Sequence, residues 1–429
     1  MSADLEAFDA YRARLLARLT PIEPTRLPLE RAAGMTLAAP VEARTPLPGF
    51  ANAAMDGYAV RREDAEPGAR LALTGEIAAG QEHLPLVEPG TTVRIMTGAP
   101  MPDGADAVVP VEQADEAGET VVIAARPAAA AHVRAAGEDL AVGARALEPG
   151  THLGAAEVAL AAAAGAGAVL VRRRPRVAVL STGDELVPAG APLRGGQIVD
   201  SNGPSLAAAA AAAGAEPVAQ PAVPDDAQAL RAAFTAAAAD ADVLVTTGGV
   251  SAGRYDLVQH VLAELGDVGT TTVAMQPGKP QAFGLLDGTP CFGLPGNPVS
   301  ALISFEALVR PALLRLTGRA DLARPNVTAR VAATLPGGKE RLRFVLARLS
   351  EGEQGTEVAP LGTQGSHRLA SAAGADAYVV VPRGVPRCEP DELVDAWLLS
   401  GDGWQDGQHV AYAWQSGRQA RTLAVRSLR

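Results

Sequence analysis

Two cysteines in 429 residues, Cys291 and Cys388, lie in separate segments and supply neither a disulfide framework nor a zinc-binding pattern. A reduced, cytoplasmic setting is the expectation. Basic runs are missing too. The chain has 37 lysines and arginines against 48 acids, a formal charge of −11, and this argues against nonspecific nucleic-acid binding. A small anionic ligand remains open, because local charge can oppose the total. Lysine is confined to Lys279 and Lys339, and the six histidines are scattered without ligand spacing, so no transition-metal centre is expected. The longest apolar stretch, residues 158–171, is alanine-rich, contains two glycines and is too short to span a bilayer. Residues 1–19 place acids early and arginines later, the pattern of an amphipathic helix rather than a signal peptide.

Glycine and proline, by contrast, are plentiful at 45 and 33, so turns are many, and the length suggests roughly two to four domains. The most informative stretch is 242–256, DVLVTTGGVSAGRYD. Its apolar run 243–245 has no polar alternation, which suits a strand buried on both faces of a parallel sheet. Gly248 and Gly249 then allow positive φ and a close approach of backbone N–H groups to an anion. Asp256 sets a carboxylate beside that cradle, a pairing that suits Mg²⁺ with a phosphorylated ligand. A glycine turn and a helix-capping Asp would explain the stretch equally well in isolation. Two further stretches repeat the strand-then-loop form, 176–186 (RVAVLSTGDEL) and 291–300 (CFGLPGNPVS), and three such loops in one βα segment converge on one sheet edge.

Taken in order, the chain opens with a helix over 1–19 and a proline-rich connection. A turn-rich, β-rich segment over 46–139 follows, holding MDGYA (55–59), RIMTGAPMP (94–102) and the GED loop (137–139). Asp56 lies in an Asp-Gly turn, Thr97 is a plausible oxyanion contact at a strand end, and Asp139 belongs to a pair of carboxylates that also suits a solvated face. A helix over 155–164 and the Arg172–Arg174 linker lead into the βα alternation, where Asp225 or Asp226 caps a helix. Lys279 stands between Gly278 and Pro280, where a stiff backbone aims its ammonium. A long helix is expected over 299–316, then a small β-barrel or sandwich over 322–400 with an anion-suited loop at 362–369, then a loosely attached tail over 401–429.

MDGYA, IMTGAPMP, GED, STGDEL, TTGGVS with its following Asp, PGKP and GLPGNPVS, in this order, resemble the molybdopterin molybdenumtransferase family, the MoeA type related to the E domain of gephyrin. The resemblance covers roughly residues 1–400. It implies a multidomain α/β plus β fold. A dimer-interface domain would span 1–45 with 140–174, an inserted β-rich domain 46–139, an α/β molybdopterin-binding domain with a mostly parallel sheet 175–321, and a C-terminal β-domain 322–400. It also implies a transferase that takes adenylylated molybdopterin and molybdate, requires Mg²⁺ and releases AMP.

Carried over by motif, the site residues are Asp56, Thr97, Asp139, Glu185, Asp225, Asp256 and Lys279, with Pro295 and Pro298. The backbone and polar groups of Ser181, Thr182, Gly183, Asn202, Gly248, Gly249 and Ser251 suit the pterin phosphate and adenylate. Glu185 and Asp256 suit Mg²⁺, and Lys279, Ser366, Arg341 or Arg368 suit molybdate. Where family members often carry lysine three residues before the PGKP lysine, this chain has Gln276. The resemblance implies a homodimer whose site is shared between subunits. It also places the molybdopterin adenylyltransferase and cofactor-receiving enzymes among the partners, with neither nucleic acid nor membrane. The alternative is a catalytically reduced molybdopterin carrier or scaffold of the gephyrin E type, and tungsten in place of molybdenum would make nearly the same contacts.

Overall fold

The computed structural model describes residues 5–218, 220–249 and 257–399. The chain divides into two compact units: one holds the segment up to Leu19, Pro175–Leu313 and the chain from Leu322, and the other holds Thr20–Arg174 with Leu314–Asp321. The N-terminal helix Phe8–Ala17 belongs to the first unit. There Glu6 N bonds Thr272 O at 3.0 Å, Arg18 reaches Asp267 at 2.5 Å, and the Phe8 ring meets Phe344 edge-on at 6.0 Å.

The centre of the first unit is a six-stranded sheet in the order Glu216–Val218, Arg176–Ser181, Val243–Thr247, Thr289–Leu294, Pro280–Leu286, Gly269–Thr272. The first four strands run parallel, Pro280–Leu286 runs against them, and Gly269–Thr272 pairs antiparallel with it at the edge. Unbroken apolar runs make the central strands: every residue of Val243–Thr247 is buried, as a sheet covered on both faces requires. Leu180 and Leu244 pack with Leu230 and Phe234 of helix Ala227–Asp240 and with Val258, Val261 and Leu262 of helix Leu257–Leu265. Each such side chain contributes about 1.5–3 kcal/mol on full burial. Because the central strands are parallel, Ser181, Thr247 and Leu294 all end at one edge.

The helix expected over 299–316 is not uniform. It runs as Pro298–Ser304, opens into a π-helical turn at Phe305–Val309, and resumes as Arg310–Leu316. Pro311 supplies the reason, since it lacks an N–H and its ring would strike the carbonyl four residues earlier, so the preceding turn widens. Beyond it, five strands close into a barrel, Leu342–Gly352 pairing with Gly355–Pro360 on one side and Ala377–Val381 on the other, with Asn326–Val331 and Leu393–Leu398 completing the ring. Val331, Val345, Val358, Val379 and Ala396 fill it.

The second unit has two parts. In the first, Gly57–Val60 lies between Ala107–Pro110 and Thr91–Ile95 in a six-stranded sheet with separate cores on its faces. In the second, Pro24–Pro28, Thr36–Leu37 and Ala168–Arg172 form a small sheet under helix Ala155–Ala163, with Leu29, Leu37, Leu147, Leu153 and Val169 in one core. Among the described residues no helix is long and apolar enough to cross a membrane.

Candidate functional site

Three loops leave the carboxyl edge of the first unit's parallel sheet, and polar side chains fasten them together. Asn202 Nδ2 donates to Thr247 Oγ1 at 2.9 Å and to Gly296 O at 2.8 Å, and Thr247 Oγ1 donates to Pro295 O at 3.1 Å. Thr182 N donates to Thr247 O at 3.0 Å. Ser181 Oγ donates to Asp200 Oδ1 at 2.8 Å, and the same carboxylate accepts from Gly203 N at 2.9 Å. Glycine shapes the turn here: Gly248 has φ +95° and a Cβ there would lie 2.6 Å from Thr182 O, and Gly249 follows it in the left-handed region at φ +62°. Gly183, expected to offer its N–H to a ligand, instead donates it to Val223 O at 3.2 Å.

The acidic side of this edge is built from Asp184, Glu185 and Asp225. Glu185 Oε2 lies 2.5 Å from where a Gly183 Cβ would be, so the carboxylate folds over a position only glycine leaves open. Asp226 takes the capping role, accepting from Ala229 N at 2.8 Å. Its neighbour Asp225 is left to face the other acids, its N–H bonding Asp184 Oδ1 at 3.0 Å. Burial first, then the charges of Asp184 and Glu185, push the Asp225 carboxyl above its ordinary range. Among the described residues no group of three or more His, Cys, Asp or Glu side chains is placed to hold a metal ion by itself. Ser251 and Asp256 lie outside the described residues.

Next to the third loop is a cavity of about 210 Å³ whose polar lining is Gln276, Arg343, Gln364 and Ser366, with Val299, Ile303 and Phe344 as apolar wall. Pro298 opens the helix at its rim, and Val299 N donates to Ser366 O at 3.0 Å, which ties the 362–369 loop to that helix. Burial, then the charge of Arg341, lowers the Arg343 pKa, the response of a cation held without enough negative charge around it. Lys279 is exposed on the same 275–280 loop that supplies Gln276. Arg343, Gln364, Asp184 and Asp200 were not singled out from the sequence. Arg343 and Gln364 become lining only when the barrel strand and the 362–369 loop come together, a long-range fact no local pattern carries.

In the second unit Asp56 and Thr97 meet. The Asp56 carboxylate accepts from Thr97 N and Thr97 Oγ1, each at 2.7 Å. These bonds, and the Arg94 charge after them, lower the Asp56 pKa. Thr97 therefore spends its hydroxyl on Asp56 rather than presenting it to an oxyanion. Tyr58 Oη donates to Glu116 at 2.5 Å, and burial with this bond raises its pKa to about 12. Asp139 is exposed and held by its backbone, N–H to Leu47 O at 3.0 Å.

Residues 6–165 match the MoeA N-terminal region (domain I and II), 178–315 a probable molybdopterin binding domain, and 328–399 the MoeA C-terminal region (domain IV). The chain is 40% identical over 388 residues to molybdopterin molybdenumtransferase 2 of Mycobacterium tuberculosis, covering 88% of this chain and 95% of that one. The chain belongs to the molybdopterin molybdenumtransferase family. The molybdopterin molybdenumtransferase of Haemophilus influenzae is 36% identical, covering 87% and 93%. The crystal structure of the molybdopterin biosynthesis MoeA protein from Pyrococcus horikosii superposes with a TM-score of 0.77 at 33% identity, over 93% of this chain and 100% of that one. Membership in the molybdopterin molybdenumtransferase family makes this chain a transferase of molybdenum cofactor biosynthesis.

Proposed function

We propose that this transferase takes adenylylated molybdopterin and molybdate, places molybdenum on the dithiolene of the pterin, and releases AMP. The observation that carries the reading is one sheet edge that carries the glycine turn at Gly248 and Gly249 and the Asp184–Glu185–Asp225 carboxylates, with a cavity lined by Arg343 beside the helix that follows its third loop. A phosphoanhydride and a tetrahedral dianion need these three chemistries side by side.

The residues divide the work. The 248–249 turn lets backbone come close to the pyrophosphate, and Asn202 with Thr247 holds the 182–185, 248–249 and 295–297 loops at fixed separation. Arg343 and Ser366, which line the cavity against the apolar wall of Val299, Ile303 and Phe344, bind molybdate together with Lys279 of the adjoining 275–280 loop. Gln276 offers the dianion a hydrogen bond in place of a charge.

The carboxylates suit Mg²⁺. They are hard oxygen donors, and burial first, then the charges of Asp184 and Glu185, raises the Asp225 pKa, a position that a cation would relieve. Glu185 and Asp225 would hold the ion, leaving its remaining positions to phosphate oxygens and water, as Mg²⁺ prefers. Bound there, it supplies charge neutralisation to the phosphoanhydride. Asp256 is the further ligand suggested by the motif.

The working form is a homodimer whose site takes Asp56 and Thr97 from one subunit and the sheet edge from the other. Leu193, Ile198 and Val199 support this: all three are exposed, on a loop that leaves the site directly, Ile198 N bonding Glu185 O at 2.9 Å. The cytoplasm, where an adenylyltransferase would supply the pterin and recipient enzymes take the product, is the setting that fits.

The test is incubation of the purified protein with adenylylated molybdopterin, molybdate and Mg²⁺, following AMP and pterin-bound molybdenum. AMP that appears only when molybdate and Mg²⁺ are both present is the expected result. Pterin binding without AMP release overturns the reading in favour of a carrier.

A further inference from the structure

The 275–280 loop carries both Gln276 and Lys279, yet it contains a glycine at φ +101° and has no helix of its own. Its two ends are fixed by backbone. Val273 N donates to Lys279 O at 2.8 Å, and Met275 and Gln276 pair with Leu342 and Arg343 of the barrel. The middle is fixed by one buried side chain. Gln281, 1% exposed, donates from Nε2 to Gly278 O and to Ser304 Oγ, both at 2.7 Å. Ser304 is 0% exposed and ends the helix whose first residues line the cavity. Gly278 is packed so closely that a Cβ would lie 2.8 Å from Ser304 Oγ and 3.0 Å from Met275 Cε.

We infer that Gln281 is a positioning residue for oxyanion binding: it holds the Gly278 carbonyl, and with it the direction in which Lys279 leaves the loop, relative to the helix that forms the cavity wall. A buried amide would have satisfied its donors on any nearby acceptor. Here one nitrogen spans the loop and the helix, so the two cannot slide past each other without breaking a buried bond. Lys279 has a long flexible stem, and a fixed Cα is what turns that stem into a directed charge.

The inference rests on the reading of Lys279 as a molybdate contact, and the experiment separates the two. Gln281→Met fills similar volume without donors, Ser304→Ala removes one contact but keeps the bond to Gly278, and Lys279→Ala tests the underlying reading. KM for molybdate, KM for the pterin, kcat, and amide hydrogen exchange over residues 276–279 of the unliganded protein are measured for each. Gln281→Met should raise the molybdate KM about tenfold, the worth of one buried hydrogen bond. It should leave the pterin KM unchanged and speed exchange over 276–279, and Ser304→Ala, which cuts the tie to the helix but keeps the bond to Gly278, should raise the molybdate KM by a smaller factor. An unchanged molybdate KM in Gln281→Met alongside a raised one in Lys279→Ala overturns the inference. Equal rises in both KM values, matched by Ser304→Ala, also overturn it by reducing Gln281 to core packing. If Lys279→Ala leaves the molybdate KM unchanged, the Lys279 contact falls instead, and faster exchange in Gln281→Met supports the positioning role while unchanged exchange ends it.

Discussion

Asp225 and Asp226 are adjacent and chemically identical, and the fold gives them opposite tasks. Asp226 caps a helix, so its charge is matched by an N–H and a helix N-terminus. Asp225 faces Asp184 and Glu185, and its pKa is raised. The sign follows from linkage. An acid whose pKa is raised in the fold keeps its proton where the unfolded chain has lost it, so stability falls as pH climbs from the ordinary carboxylate pKa through the raised one. Asp225→Asn should therefore raise Tm above that window in Mg²⁺-free buffer and give no gain below it. Added Mg²⁺ should raise Tm for the natural protein more than for the variant, by ligand linkage. Thermal scans across pH with and without Mg²⁺ check both. Sequence alone left the capping Asp open between 225 and 226, because capping depends on which residue's φ and ψ stand just outside the first turn. It also left Thr97 as a possible oxyanion contact, because its partner Asp56 is 41 positions away.

At the scale of elements, what was legible followed from local pattern. The apolar run 243–245 became a fully buried central strand, and Gly248 and Gly249 after it took the positive φ expected of them. The π turn at Phe305–Val309 was not legible as such, though its cause, Pro311, stood in plain view. The loops make a sharper prediction than the strands. Gly248→Ala puts a methyl against Thr182 O in a backbone region that favours glycine, yet the strand before it ends at Thr247 and its core contacts are untouched. The variant should keep its circular dichroism spectrum while losing about 1–3 kcal/mol of stability in urea titrations. Its affinity for adenylylated pterin should fall at least about tenfold by calorimetry. A variant with unchanged affinity removes the close approach of backbone to ligand at this turn.

For the whole molecule, the order of motifs along the chain gave the family, and the closed barrel settled the choice between barrel and sandwich. Pairing between distant segments was out of reach of the sequence: the cavity needs Gln276, Val299, Arg343 and Ser366, four separate stretches. The proposed shared site gives a test at this scale. Asp56→Ala and Glu185→Ala dimers, each inactive, should regain up to about a quarter of normal AMP release after subunits are exchanged, because half of the dimers are mixed and each mixed dimer holds one intact site. No recovery after verified exchange places both residues in the site of a single chain.

Both cysteines are buried without a disulfide, and burial drives each thiol pKa upward. For a transferase of molybdenum cofactor biosynthesis, this amounts to chemical silence. Thiolate is the reactive and metal-binding form of cysteine, and burial holds both of this chain's thiols away from that form and away from solvent. A cysteine introduced at an exposed position would be the one thiol that answers to alkylation or to metal, and so a reporter of where the cargo passes.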